Sequence, residues 1–466
     1  MQRFARSRAP KQAVNWLCSS LNQSRSFQTP SFATVDAEGI SGSQPAQDSW
    51  TKTSNWSTVL DPLNGEPFIK VADVDETGLQ PFVESLSKCP KHGLHNLFKS
   101  AERRLIQRVS PKSYHQAHAE VFVTQNFFEN FCGDQVRFLP RSFAVPGNHL
   151  GQQSHGFRWP YGPIPVLQLM GALYMGNKVL LKVDGKVSIV MEQMLRLLHE
   201  CGLSMDDVDF INSDGKTMNK MLLEAKPRMT LFTGSSRVAE KLAVDLRGRV
   251  KLEDAGFDWT ILGPDVQEVL STGLITLHGC DQDAYACSGQ KCSATSVLFM
   301  HENWASSPLI SKMKSLAERR QLQDLTAGPV LTVTTETMLR HMKKLLEIPG
   351  SKLLFGGEPL ENHSIPNIYG AIKPTAVYVP CEEILKEGNF ELVTREIFRP
   401  FQVVTDYKDA QLQMVLDALE KLEAHLTAAV VSNDLLFLQK VIGNSVSGTT
   451  YAGMRARTAG ALQNHW

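Results

Sequence analysis

The stretch from Asn177 to Leu252 decides the fold, and it opens with Asn177-Lys-Val-Leu-Leu-Lys-Val183. The apolar run Val179–Val183 predicts a buried strand, because short apolar runs rich in β-branched residues are typical of strands covered on both faces. Apolar residues then recur at helical spacing between a possible N-cap at Ser188 and Gly202. A strand followed directly by a helix makes one βα unit.

The same alternation continues along this stretch. Asp207–Asn212 predicts a second strand, Lys216–Ala225 a second helix and Met229–Thr233 a third strand, and a third helix follows with Val238 and Leu242 on one face. Repeated βαβ units imply a parallel, doubly wound sheet, and such sheets bind ligands at the carboxyl ends of their strands. A dinucleotide is the natural ligand to expect there.

A second α/β domain is the economical interpretation of the chain that follows. Helical stretches such as Leu309–Arg320 and Gln411–Glu423 separate further short apolar runs. The runs predicted to be strands are Trp259–Leu262, Thr295–Met300, Ala376–Val379, Phe401–Thr405 and Thr427–Val431.

Composition narrows the class of partner. The 466 residues are 42% apolar, as in a folded globular protein, and 48 basic side chains balance 48 acidic ones. No overall charge favours nucleic acid or an anionic membrane, and no apolar run approaches the roughly 18 to 20 residues of a membrane span. The eight cysteines are scattered, which suits a reducing compartment with free thiols. We therefore expect a small-molecule partner, with no nucleic acid and no membrane.

The first 35 residues differ from the rest of the chain. They are rich in arginine and serine and contain no acidic residue before Asp36. This composition is typical of an organellar transit peptide and predicts import into the mitochondrial matrix. The alternatives are a basic tail without a targeting function, a plastid transit peptide and a secretory signal. The apolar run near Ala13 is short for a secretory signal.

Phe232-Thr-Gly-Ser-Ser236 is a predicted strand that runs into a Gly-Ser turn and then a helix. Exposed N–H groups and the helix dipole at such a turn can hold a phosphate. Taken alone, the turn favours an ordinary strand-to-helix connection over a phosphate site. The G-x-G-x-x-G fingerprint is absent, so it is not the common Rossmann loop.

The second candidate is Cys287-Ser-Gly-Gln-Lys-Cys292-Ser-Ala294. Lys291 and nearby backbone N–H groups could lower a thiol pKa and create a nucleophilic thiolate. Such a site needs a carboxylate that can later activate water, and Glu253, at the end of a predicted strand, is a candidate. The alternative is an inert buried thiol. We predict no metal, because Cys287 and Cys292 lack a second ligand pair at zinc spacing.

Four segments in this order resemble the signature of the aldehyde dehydrogenase superfamily. They are Phe232–Ser236, Leu252-Glu-Asp-Ala-Gly256, Gly289-Gln-Lys-Cys-Ser-Ala294 and Glu396-Ile-Phe398 with Pro400. The string around Cys292 is most similar to the branch that acts on Δ1-pyrroline-5-carboxylate. Phe32–Ala37, Asp61–Gly65 and Gln463–Trp466 resemble the plant mitochondrial members of that branch.

The resemblance implies the α/β aldehyde dehydrogenase-like fold, with a doubly wound parallel sheet in a cofactor domain and a second α/β catalytic domain. The corresponding divisions are a transit peptide at 1–35, an NAD-binding domain at 36–252, a catalytic domain at 253–440 and a return to the cofactor and oligomerisation region at 441–466. The NAD-binding domain is expected to be shortened around 100–105 and 163–167. A homo-oligomer is also expected.

The resemblance implies a role for each matching residue. Cys292 would attack the aldehyde of glutamate semialdehyde, and Glu253 would activate the water that hydrolyses the thioester to release glutamate. Lys182 and Glu396 would hold the two riboses of NAD, with Gly234 and Ser235 near its phosphates. Ser293 and the backbone at Gly460 and Ala461 would bind the substrate carboxylate. Without the resemblance, Lys182 and Glu396 would be solvated charges and Ser293 a small turn residue.

The chain also departs from the family pattern. Trp159-Pro-Tyr-Gly-Pro163 begins the strand that should reach a Pro-Phe-Asn-Phe-Pro segment, but Ile164-Pro-Val166 leads straight into the helix predicted at Leu167–Met175. The expected oxyanion asparagine is therefore missing, a loss worth about 10² to 10³ in rate. In addition, the chain ends at Trp466, before the part that in the family completes the sheet and the dimer contact.

Further departures surround the site. Leu270–His278 replaces a helical stretch of the family, and Arg399 stands where the family has glycine. Gly185 and Ala239 replace residues that shape the cofactor site, and from the family NAD is expected in preference to NADP. The leading hypothesis is an NAD(P)-dependent dehydrogenase, and the alternative is an impaired isoform or paralogue that binds cofactor or pairs with full-length subunits. A cofactor-free cysteine acyl transferase or hydrolase fits the βαβ region less well.

Overall fold

A computed structural model describes residues 44–46, 49–51, 55–87, 164–174, 177–201, 203–254, 256–265, 272–396 and 398–458. The predicted transit peptide, the residues around 100–105, Trp159–Pro163 and the pair Gly460 and Ala461 lie outside the described residues.

Strands and helices alternate through most of the described chain. The strands are β1 (Gln44–Ala46), β2 (Ser49–Thr51), β3 (Asn55–Leu60), β4 (Pro67–Asp73), β5 (Val179–Leu181), β6 (Val208–Phe210), β7 (Thr230–Thr233), β8 (Val250–Glu253), β9 (Asp258–Leu262), β10 (Thr295–His301), β11 (Lys352–Phe355), β12 (Thr375–Tyr378), β13 (Phe401–Tyr407), β14 (Thr427–Val431) and β15 (Thr449–Ala452). The α-helices are α1 (Gln80–Ser87), α2 (Ile164–Tyr174), α3 (Ser188–Glu200), α4 (Gly215–Ala225), α5 (Ser236–Asp245), α6 (Thr272–Tyr285), α7 (Glu302–Ala305), α8 (Leu309–Ala317), α9 (Thr335–Leu346), α10 (Cys381–Ile384), α11 (Asn389–Val393), α12 (Leu412–Glu420) and α13 (Leu435–Gly443). Short 3₁₀ turns occupy Met205–Asp207, Ala286–Gly289 and Asp409–Gln411.

Strands before Asp254 pair two by two. β1 with β2 and β3 with β4 are antiparallel, whereas β5 with β6 and β7 with β8 are parallel. β5-α3-β6 and β7-α5-β8 are βαβ units of the kind that the sequence predicts, and α4 connects the first unit to the second. Within the described residues, the two pairs do not join into one sheet.

A seven-stranded sheet dominates the chain after Gly256. Its strand order is β11-β12-β13-β10-β9-β14-β15, and every neighbouring pair is parallel except β11 with β12 at one edge. β9 and β10 lie near the middle and are buried along their whole length. Such burial explains why the central strands read as continuous apolar runs and not as alternating ones.

Helices cover both faces of this sheet. On one face Val297 and Phe299 of β10 share a core with α9, α12 and α13. On the other face Leu298 and Met300 pack in the core that contains residues of α6 and α8. Successive side chains of a strand point to opposite faces, so one strand serves both cores. The predicted α/β class is confirmed.

Two local predictions are wrong. Ser188 does not cap α3, because Val187 is the N-cap residue, with no side-chain capping bond, and Ser188 is already helical. The stretch 270–278 was expected to replace a helix, yet α6 begins at Thr272. Tertiary packing accounts for the second difference, since Leu277 and Cys280 are buried in the core beneath the sheet, and such burial can override weak helix propensity.

No helix in the described part of the chain is both long enough and apolar enough to cross a membrane.

Candidate active site

Glu253 is the last residue of β8, where the short parallel pair ends. Its backbone pairs with Thr233, and its carbonyl accepts a hydrogen bond from Gly234 N–H at 3.1 Å. Ser236 Oγ then donates to the Asp254 carbonyl at 3.2 Å. These bonds hold the predicted phosphate turn directly beside the predicted base, at the carboxyl end of both strands.

Cys292 lies in the connection between a left-handed turn and the buried strand β10. Cys287 and Ser288 have φ of 56° and 54°, values that residues other than glycine rarely adopt. Gly289 follows with φ of 66°, and a Cβ there would lie 2.0 Å from the Arg399 carbonyl oxygen. Only glycine fits this close approach, which fixes the turn that leads to the thiol.

The Cys292 thiol and the Glu253 carboxyl are side-chain neighbours. Burial raises the pKa of the Cys292 thiol well above its usual range, and the charge of Glu253 raises it further. Burial also raises the pKa of Glu253, while the contact with Cys292 lowers it. Glu253 Oε1 is buried without a hydrogen-bond partner among the described residues. The pair therefore joins a protonated thiol to a carboxylate with one oxygen free to accept a proton.

Lys291 was predicted to lower a thiol pKa, and its charge does interact favourably with those of Cys287 and Cys292. Burial and the charge of Glu253 nevertheless leave the pKa of Cys292 raised. Burial lowers the pKa of Lys291 itself, against the nearby charges of Asp283, Cys287 and Cys292 that raise it. Lys291 therefore does not make Cys292 a thiolate, and Glu253 is the neighbouring group that is placed to accept its proton.

Gly256 allows the two parts of the site to meet. A Cβ at this position would lie 2.3 Å from the Cys292 carbonyl oxygen and 3.1 Å from Asp258 Oδ2. Its backbone N–H stabilises the charged form of Glu396. The residue therefore lies between the nucleophile and the predicted ribose ligand, and a side chain would separate them.

Glu396 interacts with the charge of Glu253 and with the backbone of Gly256. Burial raises the pKa of Glu396 to about 7, the N–H of Gly256 opposes the shift, and the charges of Asp254 and Glu253 add to it. The structure thus brings together Glu253, Cys292 and Glu396, three residues that are far apart in the sequence.

Lys182 lies immediately after β5. Its ammonium donates to the Val183 carbonyl at 3.3 Å. Burial lowers the pKa of Lys182, and the carboxylates of Asp184, Asp73 and Asp214 raise it in turn. None of the described contacts connects Lys182 to Cys292.

Of the other predicted site residues, two lie at the start of α5 and one directly follows Cys292. Gly234 and Ser235 are exposed at the start of α5, and Ser235 is its N-cap with no side-chain capping bond. Ser293 is buried next to the nucleophile, with 4% of its surface exposed. Among the described residues there is no group of three or more His, Cys, Asp or Glu side chains that could hold a metal ion.

Sequence reasoning missed Asp258. It is fully buried at the start of β9, where its Oδ1 accepts from Thr427 N–H at 2.7 Å and Thr427 Oγ1 at 2.5 Å. Burial raises the pKa of Asp258 well above its usual range, and the charges of Glu396 and Glu253 add to the shift. An acidic residue next to the apolar run 259–262 was the available signal, because carboxyl groups are rarely buried without a purpose.

Comparison with known sequences identifies the family of the chain. The profile of the aldehyde dehydrogenase family matches residues 160–462. A probable aldehyde dehydrogenase of Linum usitatissimum is 71% identical, covering 93% of this chain and 86% of that protein. Delta-1-pyrroline-5-carboxylate dehydrogenase 12A1, mitochondrial, of Arabidopsis thaliana is 68% identical, covering 96% of this chain and 88% of that protein. The second alignment spans 491 positions, more than the 466 residues of this chain, so it contains gaps opposite residues of the relative.

Solved structures share the fold at low identity. A 1-pyrroline-5-carboxylate dehydrogenase from Thermus thermophilus, solved as a point mutant, has a TM-score of 0.69 at 20% identity and covers 94% of this chain and 90% of its own. A 3,6-anhydro-L-galactose dehydrogenase in complex with NAP has a TM-score of 0.69 at 17% identity, covering 89% of this chain and 91% of its own.

The family match extends over more than half of the chain, and both plant relatives exceed two thirds identity across nearly all of it. Members of this family use NAD(P) and act on small aldehydes. The chain therefore belongs to the aldehyde dehydrogenase family and is an oxidoreductase that acts on aldehydes.

Proposed function

We propose that this chain oxidises L-glutamate 5-semialdehyde, the open form of Δ1-pyrroline-5-carboxylate, to glutamate with NAD, through a thioester on Cys292. The observation that carries the proposal is the contact between the Cys292 thiol and the Glu253 carboxyl at the end of β8. The substrate is inferred from the Arabidopsis relative, which is named for Δ1-pyrroline-5-carboxylate. Proline catabolism would then supply the substrate.

The residues present fit a nicotinamide dinucleotide. The exposed start of α5 at Gly234 and Ser235 carries no side-chain cap, which leaves N–H groups and the helix dipole available to a pyrophosphate. Lys182 and Glu396 would hold the two riboses. Gly185 is exposed and has no atom within 4 Å of where its Cβ would be, so no side chain there contacts a ribose. When bound, the nicotinamide ring supplies the hydride acceptor.

The first half of the reaction begins at the thiol. Because the pKa of Cys292 is raised, its sulfur carries a proton at neutral pH, and Glu253 accepts that proton as the sulfur attacks the aldehyde carbon. A C–S bond forms and the carbonyl oxygen becomes a thiohemiacetal oxygen. Loss of hydride from the same carbon leaves a thioester on Cys292.

The second half uses the same carboxylate again. Glu253 first releases to solvent the proton that it took from Cys292, and it then takes a proton from water, whose oxygen attacks the thioester carbon. The C–S bond breaks, glutamate leaves with a second carboxylate, and Cys292 recovers its proton. A raised pKa suits Glu253 to this work, because a base acts best when its pKa is near the working pH.

The substrate carboxylate is proposed to bind at Ser293, Gly460 and Ala461. Ser293 follows the nucleophile directly and is buried, so its hydroxyl is available inside the protein and not to bulk water. This position would present the aldehyde at the far end of the substrate to Cys292.

The second candidate is an impaired isoform or paralogue, and one feature of the sequence favours it. Pro163 leads directly into α2 at Ile164, so the expected Pro-Phe-Asn-Phe-Pro segment is missing from the sequence. Loss of one oxyanion donor costs about 10² to 10³ in rate. We therefore expect slow turnover by this chain, even with Cys292 and Glu253 in place.

The deciding assay follows NADH formation from Δ1-pyrroline-5-carboxylate. The chain is compared with its Cys292→Ser variant and with a version that carries the Pro-Phe-Asn-Phe-Pro segment. Turnover only in the restored version would make this chain an impaired form of the same enzyme. Equal turnover in both, lost in Cys292→Ser, would show that the asparagine is dispensable here. No response of the tryptophan fluorescence to NAD or NADP would count against both candidates.

We further propose that the protein acts in the mitochondrial matrix as a homo-oligomer. The Arabidopsis relative is named as mitochondrial, and the first 35 residues have the composition of a transit peptide. A fluorescent reporter fused to residues 1–45 tests the location, and a cytosolic signal would overturn it. Light scattering of the purified chain tests the oligomer.

A further inference from the structure

Residues 457 and 458 are held against α6, the helix that precedes the nucleophile. Asp283 of α6 is buried, and its Oδ1 accepts from Arg457 Nε at 2.9 Å and from Arg457 Nη2 at 2.6 Å. Its Oδ2 accepts from the Thr458 N–H at 2.8 Å. One buried carboxylate therefore receives hydrogen bonds from two neighbouring residues. Such charge-assisted bonds add geometric specificity as well as energy.

Thr458 is fixed from a second side. It is fully buried, and its Oγ1 lies 2.7 Å from Thr295 Oγ1, within hydrogen-bond distance. Thr295 is the first residue of β10 and comes shortly after Cys292 in the sequence. Two independent contacts, one to α6 and one to β10, thus hold this segment beside the strand that the nucleophile precedes.

Asp283 also interacts with the connection that carries the nucleophile. Burial lowers the pKa of Lys291, and the charge of Asp283 is the largest of those that oppose this shift. Lys291 directly precedes Cys292. The same carboxylate therefore interacts with the residue before the nucleophile and holds Thr458, which comes just before Gly460 in the sequence.

We propose that Asp283 is a positioning residue: by docking residues 457 and 458, it positions the chain that continues to Gly460 and Ala461 for the substrate carboxylate. The inference rests on the proposed function, in which these residues bind that carboxylate. Asp283 does not need to contact substrate in this role, because both of its oxygens accept from protein donors. Loss of the docking should weaken binding of the substrate and leave the chemistry at Cys292 unchanged.

Steady-state kinetics of the full chain with two aldehydes tests this role. Glutamate semialdehyde carries the carboxylate, and pentanal is an aldehyde of the same chain length without it. Asp283→Asn should raise KM for glutamate semialdehyde roughly tenfold to hundredfold, the value of one hydrogen bond to a charged group, and keep kcat within about threefold. KM for pentanal should not change. Thr458→Val should have a weaker effect of the same kind, and Thr458→Ser, which keeps the hydroxyl, should resemble the parent.

Asp281→Asn is the matched control. Asp281 is buried on the same helix, and its two oxygens accept from Arg320 at 2.6 Å each. This ion pair joins α6 to the segment after α8 and not to residues 457 and 458. The variant should lose stability as Asp283→Asn does and keep both KM values. The inference is overturned if Asp283→Asn leaves KM unchanged, alters it alike for both aldehydes, or is matched by Asp281→Asn.

Failure of the proposed function would appear in the parent itself, as no turnover of glutamate semialdehyde. Peptide-resolved hydrogen exchange tests the docking without turnover. The peptide that contains Thr458 should exchange about tenfold faster in Asp283→Asn than in the parent, and at the parent's rate in Asp281→Asn. Equal exchange in the two variants would overturn the docking, whatever the kinetics show.

Discussion

Two regions supply the site, and they differ in how their strands are supported. The first, residues 177–254, is called the paired region because its strands form two separate parallel pairs. The second, residues 256–458, is called the sheet region because it contains the seven-stranded sheet. β8 of the paired region is partly exposed along its length, whereas β10 of the sheet region is buried at all seven positions.

Because of this difference, Glu253 and Cys292 are attached to strands that differ in burial. Glu253 stands at the end of β8, on the less buried region, and Cys292 precedes β10, on the more buried one. Parts with fewer buried contacts open more readily than a packed core. Cys292 is therefore held more firmly than Glu253, and substitutions at the two residues should have different consequences.

The largest effect is expected from Cys292→Ala, which removes the nucleophile from the sheet region. Turnover should fall by at least about 10³, because without the sulfur no thioester can form. The unfolding midpoint should stay near that of the parent, since the substitution removes only one side-chain atom. Residual activity within a few-fold of the parent, in protein free of parent enzyme, would mean that another group is the nucleophile.

Glu253→Gln tests the paired region with the next largest effect. We expect a loss of about 10² to 10⁴ in turnover, the range of a positioned general base. Since the pKa of Glu253 is raised and the base acts when deprotonated, parent activity should rise with pH through that raised pKa. The variant should lose this limb of the profile. An unchanged pH profile in Glu253→Gln would assign the base elsewhere.

Gly256→Ala tests the point at which the regions meet. The new methyl would lie 2.3 Å from the Cys292 carbonyl oxygen and 2.9 Å from a methyl of Leu426, so one of the neighbours must move. A cost of about 1 to 3 kcal/mol in the free energy of unfolding is expected for such overpacking. Gly215→Ala is the matched control, because no atom lies within 4 Å of its Cβ position. Urea denaturation of both variants measures the difference, and equal midpoints would contradict it.

The sequence predicted the sheet region better than the connections around it. Thr427–Val431 was placed with its observed bounds, because a fully buried parallel strand is a continuous apolar run. The hairpin β3–β4 was missed, although its turn is visible in Asp61-Pro-Leu-Asn-Gly65, where Gly65 has φ of 77°. Helix α6 was missed because its glycines and β-branched residues disfavour a helix, and only packing overrides them.

The site was predicted by residue type and not by geometry. Nothing in the local sequence around Glu253 and Cys292 shows that they touch, because Glu253 ends a strand of a two-stranded sheet and Cys292 precedes a strand of the seven-stranded sheet. The direction of the thiol pKa shift was also out of reach, since burial determines it and burial follows from the tertiary fold. Asp258 was missed although an acidic residue directly before the apolar run 259–262 was a readable signal.

The smallest predicted effect is a pH dependence of stability that has opposite signs in the paired region and the sheet region. Glu192 in α3 of the paired region has its pKa raised to about 6 by burial, which outweighs its ion pair with Arg196 at 2.8 Å. A raised folded pKa contributes stability that is present below the unfolded pKa of 4.5 and is lost as pH rises through 6. Raising the pH from about 5 to 7 should therefore remove about 1 kcal/mol through Glu192.

His341 in α9 of the sheet region should respond in the opposite direction. Its pKa of about 3 lies below the unfolded value of 6.5, so its contribution is present above 6.5 and is lost as pH falls. Lowering the pH from about 7 to 5 should cost about 2 kcal/mol through His341.

The measurement is peptide-resolved hydrogen exchange at the two pH values, corrected for intrinsic rates, with Glu192→Gln and His341→Gln as the variants. Each variant should flatten the pH dependence of its own region and leave the other unchanged, because Phe401 beside His341 and Met191 beside Glu192 belong to separate cores. If both variants changed both regions alike, the regions would unfold as one unit and the contrast between their supports would be lost.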